Sequence, residues 1–120
     1  MVSYFIRYHG AAADPVAFLA YYRDHHATIL RRFPQIRSLL LHVPVPVSDP
    51  FPVRPAGSAL LAQMTFDDPA SLNAALQSQA RGDARDDFAL LPAFEGEVTH
   101  EALAAEVVFR FQSGMGQVDT

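Results

Sequence analysis

The chain has 120 residues, of which 50% are hydrophobic and 18% charged, and its formal net charge is −4 at pH 7. This composition is typical of a globular protein, and the length predicts one domain without room for a second. The absence of Cys excludes disulfides, thiolate metal sites and thiol nucleophiles, and it fits the cytoplasmic location that we predict. Lys is absent and the Arg residues form no cluster, so we expect no nucleic-acid partner. The chain has no signal-peptide pattern and no apolar run of membrane-spanning length, so we expect no membrane partner.

Hydrophobic spacing and turn residues divide the chain into alternating strands and helices. The predicted strands are 2–9, 36–43, 58–66 and 97–102, with a short fifth strand at 106–111. The predicted helices are 14–33 and 68–79, followed after an interruption at Gly82 by one or two helical turns within 84–91. Five prolines between 44 and 57 predict a stiff, extended surface loop.

The two halves of the chain begin their helices in the same way. Asp14-Pro15 and Asp68-Pro69 each combine a favoured N-cap residue with a proline suited to the first turn. The order is therefore β-α-β, long loop, β-α-β, which predicts an α+β, ferredoxin-like βαββαβ fold with an antiparallel four-stranded sheet. We assign 1–111 to this domain and 112–120 to a flexible C-terminal tail.

Alternation along the strands predicts a sheet with two unlike faces. One face is almost purely apolar, and we expect the helices to cover it. The other mixes apolar and polar side chains, namely Phe5, Arg7, His9, Leu40, His42, Leu61 and Gln63, with Val98 and His100 also assigned to it. Because such a surface is too apolar to stay in water, we predict a homodimer whose two sheets enclose a partly polar cavity. The alternative is an open-faced monomer in which Arg7 and His9 are solvated.

The densest polar cluster is the run 21–26 in the first helix. Helical geometry prevents the adjacent His25 and His26 from both facing inward, and no metal-binding spacing is present, so we predict no metal site. His26 lies four residues after Tyr22 on the apolar stripe and is expected to point toward the sheet. There its imidazole suits a general acid or base, with a tyrosine hydroxyl as donor. The alternative is a core histidine bonded to a backbone carbonyl.

The run Phe18-Leu19-Ala20-Tyr21-Tyr22-Arg23-Asp24-His25-His26-Ala27 resembles the F-x-x-Y-Y-x-x-x-H-x-P signature of EthD-like proteins. Thr28 stands where that signature has proline, a difference that leaves the histidine in place. The resemblance implies the dimeric α/β-barrel form of the ferredoxin-like fold. It also implies that the signature histidine, here His26, lies at the active-site cavity and is catalytic.

Four further residues are predicted to bind substrate: Arg7, His9, Tyr22 and His42. Arg7 suits a carboxylate or enolate oxygen, although an intersubunit ion pair with Glu97 or Glu101 is an equal alternative. Tyr22 is expected to pack in the core and also to line the pocket.

The resemblance therefore implies a small-molecule catabolic protein that acts without a cofactor on a small, oxygenated, apolar compound. The expected reaction is of the oxidoreductase, monooxygenase or isomerase type, with His26 moving a proton and Tyr or Arg donors holding the oxyanion. Two alternatives stay open: a non-catalytic ligand-binding or accessory subunit of a degradation pathway, and a haem-binding protein. One fold hosts many functions and does not choose among them.

Overall fold

A computed structural model of the protein describes residues 1–112. It contains four strands: β1 Val2–Ala12, β2 Ser38–His42, β3 Ser58–Phe66 and β4 Phe94–Ala104. Four α-helices accompany them: α1 Pro15–Tyr21, α2 Ala27–Leu30, α3 Pro69–Leu76 and α4 Gln79–Phe88. A π-helical segment, Tyr22–His26, joins α1 to α2. Residues 106–112 form no strand, so the predicted fifth strand is wrong. Of the predicted tail, 112–120, all but Gln112 lies outside the described residues.

Both predicted aspartate caps are confirmed. Asp14 Oδ1 accepts a hydrogen bond from Ala17 N at 3.1 Å, and Asp68 Oδ1 accepts one from Ser71 N at 2.8 Å. The interruption predicted at Gly82 is wrong, because the helical break lies at Gln77 and Ser78. The Ser78 side chain caps α4 by accepting from Arg81 N, and α4 then runs through Gly82. The stabilisation of α4 by its N-cap thus offsets the destabilisation by one interior glycine, which is only about 1 kcal/mol relative to alanine.

The four strands form one sheet in the order β2-β3-β1-β4, with every neighbouring pair antiparallel. Together with the two helical connections, this order confirms the predicted α+β ferredoxin-like fold. In the register of β1 and β4, Gly10 faces Gly96, and the φ angles of these two residues are +130° and +145°. A Cβ at either position would meet backbone atoms of the opposite strand. Glycine here permits the close approach that lets both strands continue for 11 residues.

The core lies between the helices and one face of the sheet. It is built on alternate strand residues, which are Val2, Tyr4, Ile6, Tyr8, Leu60, Ala62, Met64 and Phe66. Each large side chain fully buried there contributes about 1.5–3 kcal/mol. Val98 pairs with Tyr8 and His100 with Ile6, so both residues of β4 lie on this helix-covered face. The prediction that placed Val98 and His100 on the mixed face is therefore wrong.

The opposite face of the sheet carries no helix from residues 1–112 and is called the open face below. It bears Phe5, Arg7 and His9 of β1, paired with Leu61 and Gln63 of β3 and with Thr99 and Glu97 of β4. No helix among residues 1–112 is long and apolar enough to cross a membrane.

Candidate functional site

The first helical connection changes geometry where its polar cluster lies. Tyr22–His26 adopts the wider π-helical turn, a form that is rare and often found at functional sites. This turn directs side chains from the first connection toward α4. The residue that they meet is Asp87, in the last turn of α4, which is only 6% exposed.

Asp87 is the centre of a compact polar cluster. Its Oδ2 lies 2.8 Å from Nδ1 of His26, and its Oδ1 accepts a hydrogen bond from the Tyr21 hydroxyl at 2.8 Å. Nε2 of His25 lies 3.2 Å from the same Oδ1. His26 is only 4% exposed, whereas the side chain of His25 is 55% exposed. The two histidines thus do not share a buried face, as predicted, yet both reach one carboxylate.

Asp87 stays ionised although it is buried. Burial alone would raise the pKa of this carboxyl, but hydrogen bonds from His26 and Tyr21 and the nearby histidines outweigh it, and the pKa lies below its ordinary value. The carboxylate is therefore ionised at neutral pH and accepts hydrogen bonds only. Burial and the same carboxylate raise the pKa of Tyr21, so that its hydroxyl stays a donor.

An ionised Asp87 determines where the proton of neutral His26 sits. A carboxylate beside Nδ1 requires a hydrogen on that nitrogen, which leaves Nε2 with a free lone pair. In residues 1–112 every fully enclosed side-chain nitrogen or oxygen has a hydrogen-bond partner, whereas Nε2 of His26 has none among them. Nε2 is therefore not fully enclosed, and His26 is one of the residues that line a cavity.

Tyr22 packs inside the core, and its hydroxyl is hydrogen-bonded to Tyr8 and not to Asp87. It is fully buried, its ring centroid lies 4.7 Å from that of His26, and its hydroxyl lies 3.5 Å from that of Tyr8. Burial, followed by the neighbouring Tyr8, raises the pKa of Tyr22 well above its ordinary value. Burial likewise raises the pKa of Tyr8. Both hydroxyls are thus protonated, and Tyr22 supports the His26 ring while Tyr8 lines the cavity.

The cavity beside His26 lies between α4 and the helix-covered face of the sheet. Its volume is about 30 Å³, and its lining combines apolar side chains with His26, Tyr4, His100, Arg81 and Arg85. A space of this size holds about two water molecules. It does not admit a haem, and a substrate larger than a few atoms reaches His26 only if α4 moves.

A second, larger cavity of about 450 Å³ lies at the other end of the first helix. Small and apolar residues line it, among them Pro15, Phe18 and Leu60, and Ser58 is its one polar side chain among the described residues. Its volume is typical of small-molecule sites, but no titratable side chain of residues 1–112 lines it. Tyr8 of the first cavity and Phe18 of the second are in edge contact, with ring centroids 5.6 Å apart, and so help to separate the two spaces.

The other three predicted substrate-binding residues lie on the open face, across the sheet from His26. Each has a partner within the chain: Arg7 donates to Ser58 Oγ at 2.8 Å, His9 Nε2 lies 2.9 Å from Thr99 Oγ1, and His42 Nε2 lies 3.0 Å from Gln63 Oε1. Strand β3 also separates His42 from Arg7 and His9. Within one chain, these residues and His26 therefore cannot contact the same small ligand. No ion pair joins Arg7 to Glu97 or Glu101 inside the described chain.

Asp87 is not among the site residues predicted from the sequence, although the spacing of buried residues in α4 indicates its position. Ala80, Ala84 and Asp87 follow the spacing of a buried helical stripe, and all three are buried. An acidic residue on such a stripe requires a buried partner, because an unpaired charge is costly to bury. Residues 1–112 contain no group of three His, Asp or Glu residues positioned to hold a metal ion.

Comparisons with known proteins agree with this fold. The family model for the EthD domain matches residues 11–88. An ethyl tert-butyl ether degradation (EthD) family protein from Bacillus halodurans superposes with a TM-score of 0.66 at 21% identity, covering 88% of this chain and 100% of that one. No curated protein matches the sequence.

Two oxygenase structures share the architecture at lower identity. A monooxygenase from the gene ActVA-Orf6 of Streptomyces coelicolor, in complex with nanaomycin D, has a TM-score of 0.66 at 11% identity, with 92% of each chain covered. SnoaB, a cofactor-independent oxygenase from Streptomyces nogalater, has a TM-score of 0.57 at 15% identity, with 89% of this chain and 94% of that one covered. At these identities the likeness extends to the fold alone.

Proposed function

Because the chain belongs to the EthD family, we propose that it is a small-molecule catabolic protein that acts without a cofactor on a small, oxygenated, apolar compound. Its catalytic base is His26. The observation that carries the proposal is the 2.8 Å contact between His26 Nδ1 and the buried carboxylate of Asp87. It makes Nε2 the basic nitrogen, and in this proposal Nε2 faces the cavity that His26 lines.

The chemistry assigned to this pair is one proton transfer. Nε2 takes a proton from a C–H or O–H group of the substrate, and the electron pair stays on the substrate as an enolate or phenolate. The resulting imidazolium is stabilised by Asp87, which keeps the ring oriented. Returning the proton to a different atom completes an isomerisation. In the oxygenase form of the proposal, the anion of a CH2 group donates electrons to dioxygen; one oxygen atom becomes a carbonyl oxygen on that carbon, and the other leaves as water with the two hydrogens.

The small volume of the cavity restricts how a substrate reaches the base. As it stands, about 30 Å³ admits only a substituent of the substrate. Helix α4 is joined to α3 by the break at Gln77 and Ser78 and ends at Phe88, which is 39% exposed. Displacement of α4 from the sheet would enlarge the space and would also move Asp87. Substrate entry and base orientation are thus coupled through one helix.

A homodimer belongs to the same proposal. The open face presents Phe5, Leu61 and Leu40 in neighbouring strands, and Leu40 is 43% exposed. Joining two such faces would bury these side chains and form the dimeric α/β barrel. His26 lies on the other side of the sheet, so the base does not depend on residues of the partner's open face.

The experiment is a turnover assay on a panel of small lactones, phenols and carbonyl compounds, with product detection by mass spectrometry. His26→Ala should abolish conversion of any substrate found, a loss of about 10²–10⁴-fold if proton transfer limits the rate. Circular dichroism and urea unfolding of the variant check that the loss is chemical. Full turnover by a folded His26→Ala variant would refute the assignment.

The larger cavity favours a second candidate, a non-catalytic ligand-binding or accessory subunit. Its volume of about 450 Å³ and its apolar lining suit capture of a small apolar ligand, and no acidic or basic side chain in the described part of the chain lines it. This candidate predicts ligand affinity that is independent of His26, with no product formed. Substituting Leu19 by Trp, which adds bulk at the lining, should then weaken binding.

A further inference from the structure

Two arginines line the His26 cavity, one helical turn apart on α4. The guanidinium carbon of Arg81 lies 5.9 Å from the centre of the Tyr4 ring, and that of Arg85 lies 5.6 Å from the centre of the Phe88 ring. Neither makes an ion pair within residues 1–112, whereas Arg23, Arg32 and Arg37 each pair with an aspartate. Like charges at this spacing repel one another, so contacts within the described chain do not explain why both positions carry an arginine.

The cavity wall opposite the arginines is neutral. His100 lines it, and its Nδ1 lies 2.9 Å from the Tyr4 hydroxyl. Burial lowers the pKa of His100, and the positive charges of Arg81 and Arg85 lower it further. The histidine therefore carries no charge at neutral pH and adds only hydrogen-bonding groups. Arg81 and Arg85 are thus the arginines that line the cavity, while the negative charge of Asp87 lies outside the lining, against Nδ1 of His26.

Next to this charge the lining is apolar. Ile6, Leu30 and Val98 contribute to it, and Phe88 closes the side near Arg85. Arg85 and Phe88 are exposed enough to form the solvent-facing mouth, whereas His26 lies at the buried end. A ligand with a charged oxygen and an apolar body matches both parts of this lining, because guanidinium groups bind oxyanions by charge-assisted hydrogen bonds.

We propose that the mouth of this cavity binds a small organic oxyanion, a carboxylate or a phenolate, between Arg81 and Arg85, with its apolar body against Phe88 and Val98. This specificity rests on the proposed function only in assigning the adjacent base to His26. The arginines bind the anionic oxygen and compensate its charge. His26 Nε2 accepts the proton of the reacting group.

The test compares ligands of equal shape and different charge. Benzoate and its neutral isostere benzamide are titrated into the full chain, and amide chemical shifts follow binding. Benzoate should bind about tenfold more tightly, which corresponds to about 1.4 kcal/mol. A parallel titration with 4-nitrophenolate distinguishes the two sources of the oxyanion. Tighter binding of that ligand identifies a phenolate site, and tighter binding of benzoate identifies a carboxylate site.

Substitutions of the two arginines test whether they cause the preference for the charged ligand. Arg81→Gln and Arg85→Gln should each reduce the benzoate-to-benzamide affinity ratio about threefold or more, and the double variant should bring it to about one. Arg54→Gln, in the proline-rich loop, removes the same charge from a distant exposed site and should leave the ratio unchanged.

Two results would overturn the proposal: equal or absent binding of the charged and neutral ligands by the unmodified protein, or a preference that persists in the double variant. Neither result bears on catalysis. If His26→Ala abolishes turnover while the arginine variants keep the preference, the oxyanion site fails and the proposed function stands. If the arginine variants lose the preference while His26→Ala keeps full turnover, the oxyanion site stands and the proposed function fails.

Discussion

Replacing Asp87 by Asn should destabilise the protein while changing the side-chain volume very little. The carboxylate accepts two hydrogen bonds of 2.8 Å, from His26 and from Tyr21, in a region where Asp87 is 6% exposed. A hydrogen bond to a charged group contributes about 1 kcal/mol more than one between neutral groups. The free energy of unfolding at pH 7 should therefore fall by about 2 kcal/mol. Asp87→Ala, which leaves the Nδ1–H of His26 and the hydroxyl of Tyr21 without an acceptor, should cost about 1–3 kcal/mol for each donor left unpaired.

Urea unfolding measures this loss, and the chain contains a matched control. Asp86 precedes Asp87 in α4, is exposed and has no side-chain hydrogen bond among the described residues. Asp86→Asn removes the same charge and should change the free energy of unfolding by no more than about 0.5 kcal/mol. If Asp87→Asn were as stable as Asp86→Asn, the buried carboxylate would not stabilise the cluster of Asp87, His26 and Tyr21.

The difference between unmodified protein and Asp87→Asn should also depend on pH. In the folded state the pKa of Asp87 lies below its ordinary value, so ionised Asp87 stabilises the fold. This contribution is complete above the unfolded pKa of about 3.9 and is lost as the pH falls through the lower folded-state value. The difference should thus be full at pH 7 and shrink below about pH 4.

Two further predictions concern the sheet. Gly96→Ala should lower the free energy of unfolding by at least about 2 kcal/mol, because φ is +145° and the new Cβ would meet the backbone of His9. The control Gly82→Ala, which has open space around it in α4, should raise the free energy of unfolding by about 0.5–1 kcal/mol. Urea unfolding measures both changes. Leu61→Glu on the open face should shift sedimentation from dimer to folded single chains, whereas Val16→Glu, 81% exposed on α1, should not. A fully dimeric Leu61→Glu protein would contradict the proposed interface.

The fold was predictable because several local signals agree. The Asp-Pro pairs at 14–15 and 68–69 mark both helix starts, and each strand is bounded by turn residues. The sequence predicts the helical break at Gly82, whereas the Ser78 cap determines where α4 begins. A cap is a specific hydrogen bond and outweighs a propensity of about 1 kcal/mol.

The faces of β4 were not predictable in the same way. Side chains alternate with a period of two, so an error of one residue in the register moves every side chain to the other face. The register is determined by the pairing of β1 with β4, where Gly10 meets Gly96. The sequence of β4 alone, with polar residues on both of its faces, does not indicate which side Val98 and His100 occupy.

The candidate site was predictable only in part. The position of His26 on the apolar stripe indicated that it is buried, and its 4% exposure agrees. Its partner Asp87 lies 61 residues away on another helix, and the contact depends on the π-helical turn. No local pattern specifies a contact of that kind.

In the proposed mechanism, Asp87 holds the proton of neutral His26 on Nδ1 and leaves Nε2 as the base. Long-range proton–nitrogen correlation spectra of the imidazole at neutral pH report which nitrogen carries the proton. We expect Nδ1–H in the unmodified protein and a shift toward Nε2–H in Asp87→Asn, whose amide can donate to Nδ1. A neutral His26 with its proton on Nε2 in the unmodified protein would contradict this mechanism.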